Sequence, residues 1–380
     1  MNLSPLDNWR AGLPRRDLVL LPFLSLLTIL ALLLGAEIGA RGLYPVQSLD
    51  SCQYTDNFGA VRFRPNCESF HEMVDTGRVI NNYNDCGYRS INSCAVTPGQ
   101  LRVAVVGTST SRGVFVPYSK TFAALASERL KALCGRPVDF QNLATEGDDF
   151  ENVPRQALEA LALKPDALVM TVSDFEFSHI SLGKSDLENQ APISVSLKER
   201  SLDLLHSSRF LQVMRYYRYM DISLSIDNFI NYSDASEFAR TPLSRVWLDR
   251  IDAGEKVLDR VAETARSQGI PFIMVFVPRR EVTALAMPTF ARPELDPFQL
   301  SRLLADNVSR LGVIYTDVTA DFAATGSPNK LFLISSSHPG AGGHSLIARS
   351  IEESLLRLPV FSSCRNTQAT QADISESSNQ

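Results

Sequence analysis

The sequence predicts an α/β protein in which a doubly wound parallel sheet follows an N-terminal membrane anchor. Three observations lead to this fold class. Beyond residue 100, short apolar runs alternate with amphipathic stretches, which is typical of parallel strands joined by helices. Near the N-terminus, residues 18–36 carry no charge at all. Four small hydroxyl residues stand between two glycines, Gly107 and Gly113, directly after the first apolar run of the sheet region.

Length and composition are those of an ordinary globular protein. The chain has 380 residues, of which 44% are hydrophobic and 21% charged, enough for one large core. The formal net charge is -5, and the chain has no basic stripe. We therefore do not expect nucleic acid as a partner.

Residues 18–40 are predicted to form a single membrane-spanning helix. The uncharged run of residues 18–36 is long enough to cross the hydrocarbon core of a bilayer. Three arginines precede this run and only Arg41 follows it closely. By the positive-inside rule, residues 1–17 form a cytoplasmic tail and the rest is extracytoplasmic, which means periplasmic if the source is bacterial.

A cleaved signal peptide is the alternative to an uncleaved anchor. Ala36 and Ala40 are small residues that fit the position before a cleavage site. The apolar run is long for a signal peptide, however, and Glu37 fits poorly into a cleavage consensus. The sequence therefore favours the anchor.

Cysteine usage indicates an oxidising compartment. No two cysteines form a CxxC pair and none clusters with histidine at zinc spacing, so we expect neither a metal nor another cofactor. An even number beyond the membrane segment predicts disulfides, although spacing leaves their pairing open. The six are Cys52, Cys67, Cys86, Cys94, Cys134 and Cys364.

The chain divides into an irregular collar, a sheet domain with an insertion, and a disordered tail. The collar is predicted over residues 43–100, the sheet domain over 101–360, its helical insertion over about 175–241, and the tail over 366–380. Apolar runs predict five strands, and amphipathic spacing predicts helices between them. The strands are "LRVAVV", "PVDFQNLA", "DALVMTV", "IPFIMVFVP" and "VIYTDV"; the helices include "KTFAALASERLKAL", "VPRQALEALAL", "DPFQLSRLLADNVSRLG" and "HSLIARSIEESLLRL".

Polar residues follow the predicted strands at the sheet edge where ligands bind in open parallel sheets. The first strand leads to Ser109, and the second to Asn142. The third ends at Ser173, and the last is followed by a loop that contains His338. A serine and a histidine at this edge are the two groups that nucleophilic acyl chemistry requires.

These residues resemble the four sequence blocks of the SGNH, or GDSL-type, hydrolases. "GTSTSRG" is similar to the first block, "NLATEG" to the second, "VSDFE" to the third and "SSSHPGAGGHSLIA" to the last. "NNYNDCGYRS" is similar to a stretch that precedes many such domains. The resemblance covers residues 81–358 without the insertion. It implies a flavodoxin-like sheet, Ser109 as nucleophile and His338 as base, with Ser109, Gly147 and Ser173 around the oxyanion.

The sequence departs from the family pattern at three positions. Thr108 stands where the first block has Asp, and Ser173 stands where the third block has the Asn that donates to the oxyanion. Ser335 stands where the last block has the Asp that orients the histidine. A backbone carbonyl can take that orienting role instead. The candidate side chains for it are Asp174, Asp148, Asp149 and Ser335.

Two functions follow from these observations. The first is hydrolysis or transfer of an O-acyl group on an extracytoplasmic glycan or lipid. The second is a catalytically degenerate SGNH domain that binds a glycan or a protein partner, which the three departures favour. Of the other histidines, His179 is a candidate to line the cleft and His344 an exposed helix cap, whereas His71 and His206 are predicted on the surface.

Overall fold

A computed structural model describes residues 16–44, 50–57, 59–146, 150–182, 208–231 and 234–364. The chain divides into two compact units. One consists of Met1–Pro45 with Ile193–Tyr216, and the other of Val46–Pro192 with Tyr217–Gln380. The predicted cytoplasmic tail up to residue 15, the C-terminal tail and His206 lie outside the described residues, as do Gly147, Asp148 and Asp149.

The described residues form nine strands and twelve α-helices. The strands are β1 Gln53–Thr55, β2 Val61–Phe63, β3 Glu68–Met73, β4 Gly77–Asn82, β5 Leu101–Val106, β6 Val138–Asn142, β7 Ala167–Val172, β8 Phe272–Phe276 and β9 Ile314–Asp317. The helices are α1 Asp17–Leu43, α2 Ser109–Arg112, α3 Phe122–Cys134, α4 Val153–Leu161, α5 Asp174–Ser178, α6 Arg209–Tyr219, α7 Ile222–Asn231, α8 Arg245–Ser267, α9 Arg280–Leu285, α10 Gln299–Arg310, α11 Thr319–Ala324 and α12 Ala341–Leu356.

The large sheet confirms the predicted fold class. Its five strands are all parallel and lie in the order β6-β5-β7-β8-β9. Numbered within the sheet this is 2-1-3-4-5, the flavodoxin-like order that the resemblance implied. The order reverses at β5, so the loops after β5 and β7 open a crevice at the carboxyl edge.

Helices cover both faces of this sheet. Alternate residues of each central strand point to opposite faces, so Ala104 and Val106 belong to one core cluster while Val103 and Val105 belong to the other. Helices α4, α8 and α10 pack on the first face, and α3 and α12 on the second. Every residue of β5, β6, β7 and β8 is buried, as expected for strands covered on both sides.

Helix α8 is the longest helix of the sheet domain, and the sequence analysis did not identify it. Ser244 caps its N-terminus by accepting a hydrogen bond from the amide of Trp247 (3.3 Å). Trp247, Ile251 and Leu258 lie on its buried face at helical spacing. A Cβ on Gly254 would come within 2.2 Å of the Phe177 ring, so this position needs glycine for α8 to pack so closely.

The collar contains more regular structure than the irregular segment predicted. Strands β1 and β2 form one antiparallel pair, and β3 and β4 form a second hairpin. A small apolar cluster that includes Phe63 and Tyr83 supports the first pair. The following turn is shaped by Asn84, whose side-chain oxygen accepts hydrogen bonds from the amides of Cys86 (3.0 Å) and Tyr88 (2.9 Å). β1 and β2 have only three residues each, and the buried positions of β3 and β4 include the polar residues Ser69, His71 and Asn81, so neither pair shows apolar alternation in the sequence.

Helix α1 fits a single-pass anchor or a signal sequence by length and composition. Its most apolar part has a mean hydropathy of 2.7, and none of that part is buried. Within the same compact unit, the Glu37 carboxylate accepts hydrogen bonds from the Ser208 hydroxyl (2.8 Å) and from the amides of Arg209 (3.0 Å) and Phe210 (2.9 Å). The end of α1 therefore caps the start of α6.

All six cysteines form disulfides, which fits an oxidising compartment. Cys52 pairs with Cys67, and Cys86 with Cys94, both within the collar. Cys134 at the end of α3 pairs with Cys364, across a sequence separation of 230 residues. Asp85 is next to the Cys86–Cys94 pair, but thiols that are joined to each other are not available as thiolate ligands for a metal ion.

Removing the Cys134–Cys364 disulfide is expected to cost much more stability than removing Cys86–Cys94. The chain-entropy relation gives a loss of about 5 kcal/mol for a separation of 230 residues and about half that for 8 residues. Urea unfolding of the detergent-solubilised Cys→Ser double variants measures both losses. Equal losses would contradict the loop-length explanation.

Candidate active site

The strand that precedes the predicted nucleophile ends in a sharp turn. Gly107 has φ +130°, and a Cβ there would come within 2.3 Å of the Ser111 hydroxyl, so only glycine fits. Ser109 then begins the short helix α2 and is partly buried. Its backbone amide belongs to the first turn of a helix, where amides have no acceptor within the helix. The hydroxyl run thus supplies one partly buried serine, Ser109, whose backbone amide has no acceptor within the helix.

The structure brings Ser109 and His338 together. The Ser109 Oγ lies 2.9 Å from Nε2 of His338, across a sequence separation of 229 residues. His338 lies in a tight loop before α12, in which the Leu333 amide donates to the His338 carbonyl (2.8 Å) and the Ser337 amide donates to the Leu333 carbonyl (2.8 Å). Ser337 adopts a left-handed conformation with φ +56°. This loop sets the direction of the imidazole.

A backbone carbonyl occupies the orienting position behind the imidazole. Nδ1 of His338 lies 3.2 Å from the carbonyl oxygen of Ser336. Because a carbonyl can only accept, we assign the proton to Nδ1, which leaves Nε2 free to accept the Ser109 proton. This is the tautomer that a general base requires.

Two of the predicted orienting side chains have other partners. Ser335 donates from its amide (3.1 Å) and its hydroxyl to the carboxylate of Asp75, on the turn between β3 and β4. Asp174 is fully buried, and its carboxylate lies 2.6 Å from Nε of Arg279. Burial raises the pKa of Asp174 to about 6, although Arg279 opposes that shift. Neither residue orients His338, and Asp148 and Asp149 lie outside the described part of the chain.

The hydroxyl proton of Ser173 is already engaged. Ser173 donates from its hydroxyl (2.6 Å) and its amide (2.8 Å) to the carboxylate of Glu176, and it accepts from the amide of Phe175 (3.1 Å). Thr108 donates its hydroxyl proton to the same carboxylate. A hydroxyl has one proton, so Ser173 cannot donate to an oxyanion in this geometry. The spacing Ser-x-x-Glu is a capping-box pattern, and it could have revealed Glu176 from the sequence.

Asn142 connects strand β6 to helix α2. Its side-chain amide donates to the carbonyl of Ser111 (2.9 Å), and its side-chain oxygen accepts from the amide of Ala144 (3.1 Å). The Ser111 hydroxyl bonds to Thr171 instead of facing the cleft. Gly147, the predicted oxyanion donor of this block, lies outside the described residues.

A buried arginine from the collar holds the turn that follows Ser109. Arg89 is 2% exposed, and its guanidinium donates to the carbonyls of Arg112 (2.8 Å), Gly113 (2.5 Å) and Val116 (2.6 Å). Gly113 is left-handed with φ +76°, and a Cβ there would meet Thr121 at 2.9 Å. Burial lowers the pKa of Arg89 to about 10, so it stays charged at neutral pH. The forked guanidinium geometry is what allows one side chain to bind three carbonyls.

The remaining histidines correct two expectations. His344 is buried instead of an exposed cap: its Nδ1 accepts from the amide of Phe122 (3.3 Å), and burial lowers its pKa to about 3. His71 is fully buried in strand β3 and not on the surface. His179 is exposed and stacks on the ring of Phe175 with centroids 4.0 Å apart. The burial of His344 depends on its contact with Phe122, 222 residues earlier in the chain, which sequence spacing does not show.

Burial keeps the dyad histidine neutral. Burial lowers the pKa of His338 below the ordinary histidine value of 6.5, and the charge of Arg279 lowers it further. The negative charge of Glu146, the carbonyl of Ser336 and the charge of Glu176 act in the opposite direction. The net shift leaves the imidazole unprotonated, and therefore able to accept a proton, at neutral pH.

Comparison with known proteins adds structural likenesses of low identity. No protein-family model matches this chain, and no curated protein matches it. Among solved structures, TesA is similar with 13% identity and a TM-score of 0.38 over 67% of this chain and 98% of its own. A catalytic mutant of Axe2, an acetylxylan esterase from Geobacillus stearothermophilus, has 12% identity and a TM-score of 0.39 over 68% and 95%. A member of the lipolytic protein G-D-S-L family from Veillonella parvula has 13% identity and a TM-score of 0.35 over 68% and 100%.

TM-scores of this size support no argument about the site. The fold class is supported by the strand order of the sheet, and the candidate site by the distance between Ser109 and His338. These define an α/β protein with a serine–histidine pair at the carboxyl edge of a five-stranded parallel sheet. The sheet order is the one that the motif resemblance to SGNH/GDSL-type hydrolases implied.

Replacing Arg89 with Lys is expected to slow covalent labelling of Ser109 by a fluorophosphonate. The ammonium keeps the charge but cannot reach all three carbonyls, and an unbonded buried carbonyl costs about 1–3 kcal/mol. Labelling rates per folded molecule, together with urea unfolding, measure the effect.

Arg102→Lys is the matched control. Arg102 is also buried and donates to the carbonyls of Cys94 (2.8 Å) and Ala95 (2.7 Å), away from the nucleophile turn. Both variants should lose stability, but only Arg89→Lys should slow labelling. Equal slowing in both variants would refute a specific role for Arg89.

Proposed function

We propose that this protein is an SGNH/GDSL-type serine hydrolase that cleaves or transfers O-acyl groups with Ser109 as nucleophile and His338 as base. The observation that carries the proposal is the 2.9 Å contact between Ser109 Oγ and His338 Nε2. Its support is the tautomer imposed by the Ser336 carbonyl and the burial that keeps the imidazole neutral. An imidazole so placed is matched to proton transfer near neutral pH.

The proposed reaction has two half-reactions. Ser109 Oγ attacks the acyl carbonyl while His338 Nε2 takes the hydroxyl proton, giving a tetrahedral oxyanion and an imidazolium. The C–O bond to the alcohol then breaks, the imidazolium protonates the leaving alkoxide, and an acyl-serine remains. Water or a sugar hydroxyl repeats these steps in reverse, which releases the acid or the new ester and restores Ser109. Hydrolysis and transfer differ only in this acceptor.

Backbone amides are the proposed oxyanion donors. The amide of Ser109 begins helix α2, and the amide of Gly147 follows strand β6 in the motif assignment. Ser173 can join them only when substrate binding turns its hydroxyl away from Glu176. Two amides therefore carry the developing charge in this proposal.

The proposed substrate is an O-acylated glycan or lipid outside the cytoplasm, and α1 is the proposed membrane anchor. Supporting observations are the arginines before α1 and the three disulfides beyond it. The Glu37 contact with residues 208–210 also favours an uncleaved helix. A cut after Ala40 would remove Glu37, and a cut after Ala36 would leave it without the helix that holds it.

A catalytically degenerate binding domain is the second candidate. Two observations favour it: the Ser173 proton is committed to Glu176, and Ser335 bonds to Asp75 instead of orienting the imidazole. Such a domain would bind a glycan or a protein partner at the same sheet edge without turnover. Covalent chemistry at Ser109 separates the two functions.

Ser109→Ala is expected to abolish fluorophosphonate labelling and hydrolysis of p-nitrophenyl acetate. His338→Gln should lower both by about 10⁴-fold, the loss seen when a catalytic imidazole cannot act as base. Ser119→Ala, at an exposed serine of the same segment, is the control and should retain wild-type rates. No labelling of the wild-type protein at any pH would support the binding domain instead.

An epitope tag at the N-terminus should remain on the mature protein and resist protease in sealed right-side-out vesicles. A C-terminal tag on the same chain should be digested, because the domain is expected on the outer side. Inverted vesicles provide the control, with the opposite pattern. Loss of the N-terminal tag from the mature protein would establish the signal-peptide alternative.

A further inference from the structure

The dyad histidine has a partner that fixes its direction but supplies no charge. Ser336 presents a neutral carbonyl to Nδ1 of His338, at 3.2 Å. During acyl transfer the imidazole becomes a cation, and an anion nearby stabilises that cation. The family pattern places an aspartate in the last block for this purpose, and here Ser335 stands there with its hydroxyl bound to Asp75.

Phe115 is a strained residue packed directly on the dyad histidine. Its ring meets the His338 ring edge-on, with centroids 5.6 Å apart and planes at 84°. Phe115 adopts a left-handed conformation with φ +64°, which costs about 1–2 kcal/mol for a residue with a Cβ. Arg89 holds the neighbouring Val116 carbonyl and so helps to maintain this conformation. A strained conformation that persists at this position indicates that the Phe115 ring is needed where it packs against His338.

On its other side, Phe115 packs against a buried histidine of the collar. The His71 ring lies edge-on to Phe115 at 5.2 Å, again with planes at 84°. The side-chain amide of Asn81 lies 2.6 Å from Nδ1 of His71, and an amide nitrogen can only donate. The proton of neutral His71 is therefore assigned to Nε2, which lies 3.3 Å from the carboxylate of Glu146.

Glu146 is an anion held in place by two buried side chains. Its carboxylate pairs with the guanidinium of Arg112 and faces His71. Burial opposes ionisation, but the contact with His71 and the charge of Arg112 keep the pKa of Glu146 below its ordinary value. Arg112 is itself fixed by Asp50 at 2.5 Å. Glu146 is therefore charged at the pH where a neutral His338 can act.

We infer that Glu146, which contacts His71 of the collar hairpin where His71 packs against Phe115, supplies the negative charge that stabilises the His338 imidazolium. The inference rests on the proposed function, because it concerns the same dyad. Glu146, His71 and Phe115 are positioning residues: in the described structure the imidazole nitrogens contact Ser109 and Ser336 instead. The two tasks of the missing aspartate, direction and charge, are thus divided between Ser336 and Glu146.

The other charged groups around His338 do not replace Glu146. Glu176 acts in the same direction but less strongly, and its carboxylate already accepts from Ser173 and Thr108. Arg279 acts in the opposite direction. His344 is neutral at the working pH because burial lowers its pKa to about 3. Of the two carboxylates, Glu146 and Glu176, Glu146 has the larger effect on the pKa of His338.

The test is Glu146→Gln in the full-length protein, assayed with p-nitrophenyl acetate. Loss of the anion makes the imidazolium less stable, so the pKa of His338 falls further. The acid limb of the kcat/KM profile, below pH 6.5 in the wild type, should move about one unit lower, and kcat should fall about tenfold. KM should be unchanged, because the anion acts on the transition state and not on ester binding. Glu146→Asp should restore most of both.

Glu159→Gln is the matched control, since Glu159 pairs with Arg62 at the collar surface, outside the described contacts of His338. It should leave the pH profile and kcat at wild-type values. If the acid limb of the kcat/KM profile of Glu146→Gln is the same as in the wild type while Ser109→Ala is inactive, the inference is overturned and the proposed function stands.

Carbon-13 NMR of labelled histidine gives a readout that does not need activity. The chain has five histidines, so the His338 resonance can be assigned by its absence in His338→Gln. A lower pKa of His338 in Glu146→Gln supports the inference even in a protein that turns over no ester. An identical titration in both proteins overturns it.

Discussion

The parallel pairing of β5 with β6 and β7 is the constraint on which the site depends. Val105 lies opposite Asn142 and Val106 opposite Met170, so all three strands end at the same edge of the sheet. The chain leaves that edge in three adjacent turns, and the strand order reverses there. Ser109 lies at this crevice, and the second group of the candidate site comes from a distant segment. The loop before α12 brings His338 within 2.9 Å of the Ser109 hydroxyl.

The collar contributes to this edge as much as the sheet does. Arg89 binds the carbonyls of the turn after Ser109, and His71 packs against Phe115. A fully buried guanidinium is tolerated because its charge is spread over carbonyl acceptors, and its removal would leave those carbonyls without donors. The left-handed conformations of Phe115 and Ser337 persist because the segments around them are held at several points. The collar is therefore a structural part of the candidate site.

Ser335 stands where the SGNH/GDSL motif pattern has an aspartate, and in our inference the two tasks of that aspartate are divided between two groups. Orientation of an imidazole needs only an acceptor, and the Ser336 carbonyl is one. Stabilising an imidazolium needs a negative charge, and in our inference Glu146 provides it through space from another loop. A single carboxylate can both orient the imidazole and stabilise the imidazolium. When the two tasks are divided, the separate anion needs its own partners, which here are Arg112 and His71. In this inference the collar hairpin contributes to the electrostatics of the Ser109–His338 pair.

The five strands and the apolar N-terminal helix could be predicted from the sequence alone, because periodicity and charge-free length are local properties. Ser109 and His338 were predicted from the motif resemblance, which depends on the order of the blocks along the chain. Helix α8 was not predicted, although its buried residues follow helical spacing. The collar hairpins were not predicted because β1 and β2 have three residues each and the buried positions of β3 and β4 include the polar residues Ser69, His71 and Asn81. Only the tertiary structure decided that Ser336 orients the imidazole, that Glu176 holds the Ser173 proton, and that His71 and His344 are buried. Those outcomes depend on which distant segments meet, and spacing along the chain does not encode distances across it.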